Sequence, residues 1–292
     1  FRDAPMTCYI NPLCAHEHDP GYTNPPAADP KKNVMIVGAG PAGLECAYMA
    51  AQRGHEVHVY DKRDKLGGTL LEASKAPYGD DELFTCIHYQ KTQCEKAGVQ
   101  FHLGAEVTED LIKDELPDAV VLATGPVYKK LAVPGAESAK IVNVLDVLRG
   151  DAKVGDNVIV WGNRKPGIGV ALSLAKQGKK VTMVGREKSA GFDINPSFKW
   201  RYMIYLRQNG VKAYNDCEIE EINGNELIVW TYDGYRFPLK FDTIVVTERV
   251  PNEQLKNVVQ GEGIELFVIG DALVPRNLSS AVHDGFRIGV RI

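Results

Sequence analysis

The chain has 292 residues, 44% hydrophobic and 25% charged, enough apolar material for one large core or two medium ones. Its formal net charge is -4 with basic residues scattered, which excludes the patch a nucleic-acid partner needs and the polybasic face of a membrane binder. No apolar run reaches the roughly 18 residues of a membrane helix, no signal-peptide pattern is present, and the six cysteines lack a CxxC pair, so reduced thiols and a cytoplasmic setting are the default expectation.

Residues 1–30 carry Pro5, Pro12, Pro20, Pro25, Pro26 and Pro30 with little periodicity, and read as an extended linker arm. From Lys31 onward, NVMIVGAG is a buried apolar strand breaking into a glycine turn. PAGLECAYMAAQRG is a helix with small residues on one face, and HEVHVYD is a second strand, completing a βαβ unit. A second copy follows at a constant offset of 124, which pairs Gly38 with Gly162, Gly43 with Gly167, Ala47 with Ala171, Gly54 with Gly178 and Val57 with Val181. Strands near 118–123 and 242–247 return toward the first strand of each half, FVIGD at 267–271 closes the first half, and a helix begins near Ser279. The expected fold class is α/β with two Rossmann-like dinucleotide-binding domains, residues 144–245 being inserted between 31–143 and 246–292. A chain that opens at Phe1 without methionine, and closes at Ile292 in what reads as a continuing helix, is expected to be a piece of a longer polypeptide.

Gly38, Gly40 and Gly43 form G-A-G-P-A-G between strand and helix, with Pro41 and Ala42 opening the helix. Gly38 permits the tight turn, Gly40 lets the backbone approach a pyrophosphate, and Gly43 lets helix and strand pack closely. The helix N-terminus adds free N–H groups and partial positive charge. Asp61, at the end of the second strand and followed by Lys62, is placed to accept ribose hydroxyl hydrogens.

Beyond the first βαβ unit come Gly67, Gly68 and Thr69 in DKLGGTL, Ala123, Thr124 and Gly125 in VVLATGP, and Gly270 and Asp271 in IGDA. Together these resemble the two-part FAD signature of the glutathione-reductase-like flavoproteins. The resemblance implies FAD, with Asp271 on its ribityl or pyrophosphate region; the alternative is that Asp271 caps the following segment. Disulfide-reducing members carry a reactive cysteine pair after the GG turn or in the second half. GGTLLEASKAP has none and Cys217 stands alone, so disulfide reduction is disfavoured.

The arm narrows the branch. CYINPLCAHE, Cys8 to Glu17, resembles the segment joining barrel to nucleotide domains in the multidomain old-yellow-enzyme relatives: 2,4-dienoyl-CoA reductase, enoate reductases and trimethylamine dehydrogenase. The resemblance implies that Cys8 is the last ligand of a [4Fe–4S] cluster whose other ligands lie outside the chain, since four thiolates are normally required. It also implies an FMN-carrying (β/α)8 barrel in the same or a partner chain, so the cluster and FMN belong to the full-length protein only. Cys14, His16 and His18 are better read as linker residues than as a metal site.

In the second half Arg164 stands at the place of Gly40, Gly169 at that of Glu45 and Gly185 at that of Asp61. A side chain at the close-approach position obstructs a pyrophosphate or, as a guanidinium, contacts one. Loss of the acid at 185, with Arg186 and Lys188 nearby, favours a 2′-phosphate. NADP(H), NAD(H) and an empty packing half all stay open. The expected function is an oxidoreductase module in which NAD(P)H reduces FAD and electrons leave through the cluster to FMN, which reduces an enoate- or enoyl-CoA-type double bond of a small-molecule substrate. The rivals are an ADP-holding domain of an amine dehydrogenase and a non-catalytic nucleotide-binding assembly domain. No catalytic side-chain constellation stands out, and a homo-oligomer is neither required nor excluded.

Overall fold

The computed structural model describes residues 7–78, 80–259 and 263–292. In chain order the elements used below are β1 (Asn33–Val37), α1 (Pro41–Gln52), β2 (Glu56–Asp61), α2 (Leu83–Lys96), β3 (Gln100–Leu103), β4 (Ala119–Leu122), β5 (Ile141–Asn143), β6 (Asn157–Trp161), α3 (Lys165–Lys176), β7 (Lys180–Val184), α4 (Pro196–Gln208), β8 (Lys212–Tyr214), β9 (Cys217–Asn223), β10 (Glu226–Thr231), β11 (Arg236–Lys240), β12 (Thr243–Val246), β13 (Glu265–Val268) and α5 (Leu278–Gly289). Two compact units form: Phe1–Leu71, Glu82–Val127 and Val250–Ile292 make the first, and Glu72–Asp81 with Tyr128–Arg249 the second.

In the first unit the described strands make one parallel sheet in the order β13-β4-β1-β2-β3. Both faces are covered, so β1 and β4 read as unbroken apolar runs. Alternation along β1 sends Val34 and Ile36 into one core with Leu44 and Ala47 of α1, and Met35 and Val37 into the opposite core with Val120 and Leu122. Burying each such side chain stabilises the unit by about 2 kcal/mol. α5 lies directly on α1, with Gly285 against Ala42 and Cys46 and Gly289 against Met49. It stops at Gly289, with Val290 as C-cap, so the helix expected to run on through Ile292 does not do so.

The arm is not simply extended. Asp19 caps the short helix Pro20–Thr23, and Ala28 N–H donates to the Arg53 carbonyl (2.8 Å). His16, Tyr22 and Phe286 stack in turn at centroid separations of 4.9 and 5.3 Å. Its aromatic residues and one buried alanine supply apolar area that the proline count concealed.

In the second unit the parallel sheet runs β5-β12-β6-β7-β8, and β9-β10-β11 form an antiparallel sheet. Val158, Val160 and Val245 pack with α3 on one side. Ile159, Trp161, Ile244 and Val246 meet Ile219, Leu227 and Val229 of the antiparallel sheet on the other. The offset of 124 survives as register: Val34 faces Val57 and Ala119, and Val158 faces Val181 and Thr243. The second unit runs from Tyr128 to Arg249, wider than the expected 144–245, and β5 lies beside β12 in its sheet. Segment Glu72–Asp81 also joins the second unit, where Asp80 takes the Lys165 ammonium and the Tyr202 hydroxyl and Tyr78 stacks on Tyr205 at 3.9 Å.

Candidate functional site

The first glycine turn sits where β1 meets α1. A Cβ on Gly38 would strike the Ala123 carbonyl, and one on Gly43 would strike the Gly38 carbonyl, so both glycines are demanded by the protein's own packing. Gly40 differs. Its φ and ψ are -82° and 178°, open to any residue, and a Cβ there would meet nothing nearer than Gly68 Cα at 3.7 Å. No side chain caps the N-terminus that Gly40 opens. The space above Gly40 is therefore a cradle that a side chain would fill, beside uncapped amides carrying the positive end of the α1 dipole.

The other expected residues converge here. Gly67 N–H donates to the Ala39 carbonyl (2.7 Å), and a Cβ on Gly68 would lie 2.9 Å from Gly40 Cα, so the GG loop backs onto the turn. Ala123 N–H donates to Val37 O (2.8 Å), placing Ala123, Thr124 and Gly125 beside it. A Cβ on Gly270 would lie 2.9 Å from Ala42 Cβ, which puts the Gly270–Asp271 segment against the first turn of α1. Asp61 accepts two backbone hydrogens, from Ala39 N–H on Oδ2 and Arg63 N–H on Oδ1, each at 2.8 Å. It thus ties the end of β2 to the glycine turn. Lys62 is exposed. Asp271 Oδ1 accepts the Arg276 N–H (2.8 Å) within the loop that leads to α5, whose own N-cap is Asn277.

Sequence reasoning missed several side chains that shape this site. Arg63 donates to the Gly68 carbonyl and clamps the GG loop; its place two residues after Asp61 was the signal. Asp284 accepts from Gly270 N–H (3.2 Å) and pairs with Arg276, so one carboxylate sets the turn that carries Asp271. Beneath α1, Glu45 is buried and accepts from Gln90 Nε2 (3.0 Å), which also donates to the Pro41 carbonyl (3.0 Å). Burial pushes the Glu45 carboxyl up from 4.5 to about 7. Cys46, Cys86 and Cys94 lie in the same interior, and all six cysteines are free thiols. Cys8 is half-buried, with its carbonyl accepting from His283 Nε2 (3.0 Å).

The second turn repeats the first. A Cβ on Gly167 would strike the Gly162 carbonyl, and Gly191 N–H donates to Asn163 O (2.7 Å) as Gly67 does to Ala39. Arg164 has φ and ψ of -81° and 179°, matching Gly40, so its side chain is carried without backbone strain. That guanidinium is held by Glu187, with Nε donating to Oε1 at 2.6 Å. Lys165 N–H donates to Asp193 Oδ1 (2.9 Å). Asn163 fills the space beside Gly185, where a Cβ would collide with it. Arg186, expected to attract a 2′-phosphate, pairs with Glu218 at 3.1 Å. Burial raises the pKa of Glu248 beside Gly162, partly offset by Arg164, Arg186 and Lys129.

A family model described as pyridine nucleotide-disulphide oxidoreductase matches residues 32–289. A metal reductase of Desulforamulus reducens is 29% identical over the whole chain and 48% of its own length. An NADH oxidase of Thermoanaerobacter brockii is 29% identical over the whole chain and 45% of its own. Among solved structures, a 2-naphthoyl-CoA reductase bound to 2-naphthoyl-CoA is 36% identical with a TM-score of 0.91, covering 99% of this chain and 44% of that one. The chain spans about half the length of the curated relatives it matches. The family match spans both βαβ halves, and its members bind FAD and NAD(P); this chain belongs to the pyridine nucleotide-disulphide oxidoreductase family.

Proposed function

We infer that the chain is the FAD-binding electron-entry module of an NAD(P)H-dependent oxidoreductase. Its other half is an FMN-carrying barrel, in the same or a partner chain, that reduces enoate- or enoyl-CoA-type double bonds through a 4Fe-4S cluster with Cys8 as one ligand. The observation that carries this reading is the cradle above Gly40, which the protein's own packing does not require. The names of the relatives support the rest: an NADH oxidase suits a nicotinamide donor, and a reductase of an aryl-CoA thioester suits an activated double bond.

FAD, when bound, supplies two-electron chemistry that side chains lack. The chain's own residues bind and orient it. The amides following Gly40 would hold the diphosphate, Asp61 keeps lone pairs for a ribose beyond its two backbone bonds, and Arg63 and Gly67 keep the GG loop shut against the turn. We assign the protein to the cytoplasm on composition.

The test is the absorbance spectrum of the purified full-length protein, followed by chromatography of the nucleotide released on denaturation. Released FAD supports the reading, and a first site holding ADP, or nothing, overturns it. The rival is an ADP-holding domain in an amine dehydrogenase, since Asp61 and the glycine turn serve an adenine nucleotide of either kind. Anaerobic mixing with NADPH or NADH separates the two, since only the first bleaches flavin through this module.

A further inference from the structure

The two halves keep one backbone at their glycine turns and differ in the charges around it. Across the offset of 124, Arg63, Thr69 and Thr124 of the first half correspond to Glu187, Asp193 and Glu248 of the second. Three carboxylates therefore surround the second turn where the first has a cation and two hydroxyls.

Two of the three sit on groups able to receive an anion at the start of α3. One is the N-terminus of α3, where Asp193 Oδ1 accepts the Lys165 N–H at 2.9 Å; in the first half the matching residue is Pro41, which has no N–H to satisfy. The other is the Arg164 guanidinium, held by Glu187 Oε1 through Nε at 2.6 Å and Nη2 at 2.5 Å. The third carboxylate, Glu248, has Oε1 2.8 Å from where a Cβ on Gly162 would stand. Two nearby cations are engaged elsewhere: the Lys165 ammonium with Asp80 and Arg186 with Glu218. A helix N-terminus and a guanidinium favour anions. Here both anions are internal.

We propose that Asp193 and Glu187 stand in for a dinucleotide diphosphate at the second turn and thereby set its affinity. A nicotinamide dinucleotide seats there only by displacing both carboxylates. The proposal rests on the reading above only in taking the second half as the nicotinamide half.

The test is calorimetric titration of the full-length protein with NADPH and with NADH, in wild type and in Asp193→Asn, Asp193→Ser and Glu187→Gln. Asp193→Ser keeps an oxygen able to accept the Lys165 N–H, which guards against loss of the helix end. Each variant is expected to bind at least one of the two nucleotides roughly tenfold more tightly than wild type. Unchanged or weaker affinity in all three variants, with circular dichroism like wild type, overturns the proposal. FAD released on denaturation and identified by chromatography reports separately on the first site, so failure of the cofactor reading there is distinguishable from failure of this proposal.

Discussion

Gly285→Ala sets helix propensity against packing, and the structure says which prevails. Alanine is favoured over glycine in a helix interior by about 1 kcal/mol. At position 285, however, the new Cβ would strike the Ala42 carbonyl oxygen while lying 2.9 Å from Glu45 Cβ and 3.0 Å from Cys46 N. These atoms belong to α1 or adjoin its backbone, so no rotamer change removes them and the helices must part. Overpacking of this kind costs about 3 kcal/mol, leaving a net loss of about 2. For a unit of this size that lowers Tm by about 4–8 °C. Gly169→Ala in α3 is the control, since its Cβ would meet only Ala76 Cβ at 3.2 Å and Asp80 Oδ2 at 3.9 Å. Thermal unfolding of both variants decides the matter: a Gly285→Ala protein as stable as wild type, or less perturbed than Gly169→Ala, refutes the account of the α1–α5 contact.

Gly40→Ala should leave Tm within about 1 °C of wild type, because the Cβ finds room, yet lower retained FAD at least ~10-fold, read by chromatography of the nucleotide released after gel filtration. Glu45 holds a proton in the folded chain between its ordinary 4.5 and about 7 that the unfolded chain gives up. Stability should therefore fall as pH rises through that window, by up to about 3 kcal/mol, and Glu45→Gln should flatten the fall in denaturant midpoints measured at about pH 5 and about pH 8. Under native conditions a thiol reagent should label the half-buried Cys14, whereas Cys8 should stay protected while it ligates the cluster. Cys46, Cys86, Cys94 and Cys217 should react only on unfolding, since burial raises all four thiols, Cys86 to about 11 and Cys94 to about 12.

The βαβ turns were legible because glycine spacing and apolar strand runs are local, and the offset of 124 reappears in the strand register. The convergence of Gly67, Ala123 and Gly270 on one turn was legible only through resemblance, since residues so far apart in the chain carry no mutual signal. What the sequence hid was where charges find partners. Arg164 read as a phosphate contact, while the structure pairs it with Glu187 and sets Asp193 on the Lys165 N–H, neither of which any local pattern marks. The pairing of Glu72–Asp81 with residues some 85 to 130 positions onward, through Lys165, Tyr202 and Tyr205, was equally invisible.

The Gly38–Gly43 and Gly162–Gly167 contacts change what a fingerprint reports. Both outer glycines answer to steric needs internal to each half, so they would persist in a lineage that had abandoned its coenzyme. Diagnostic weight falls on the middle letter alone, the one position whose smallness serves a guest rather than the host.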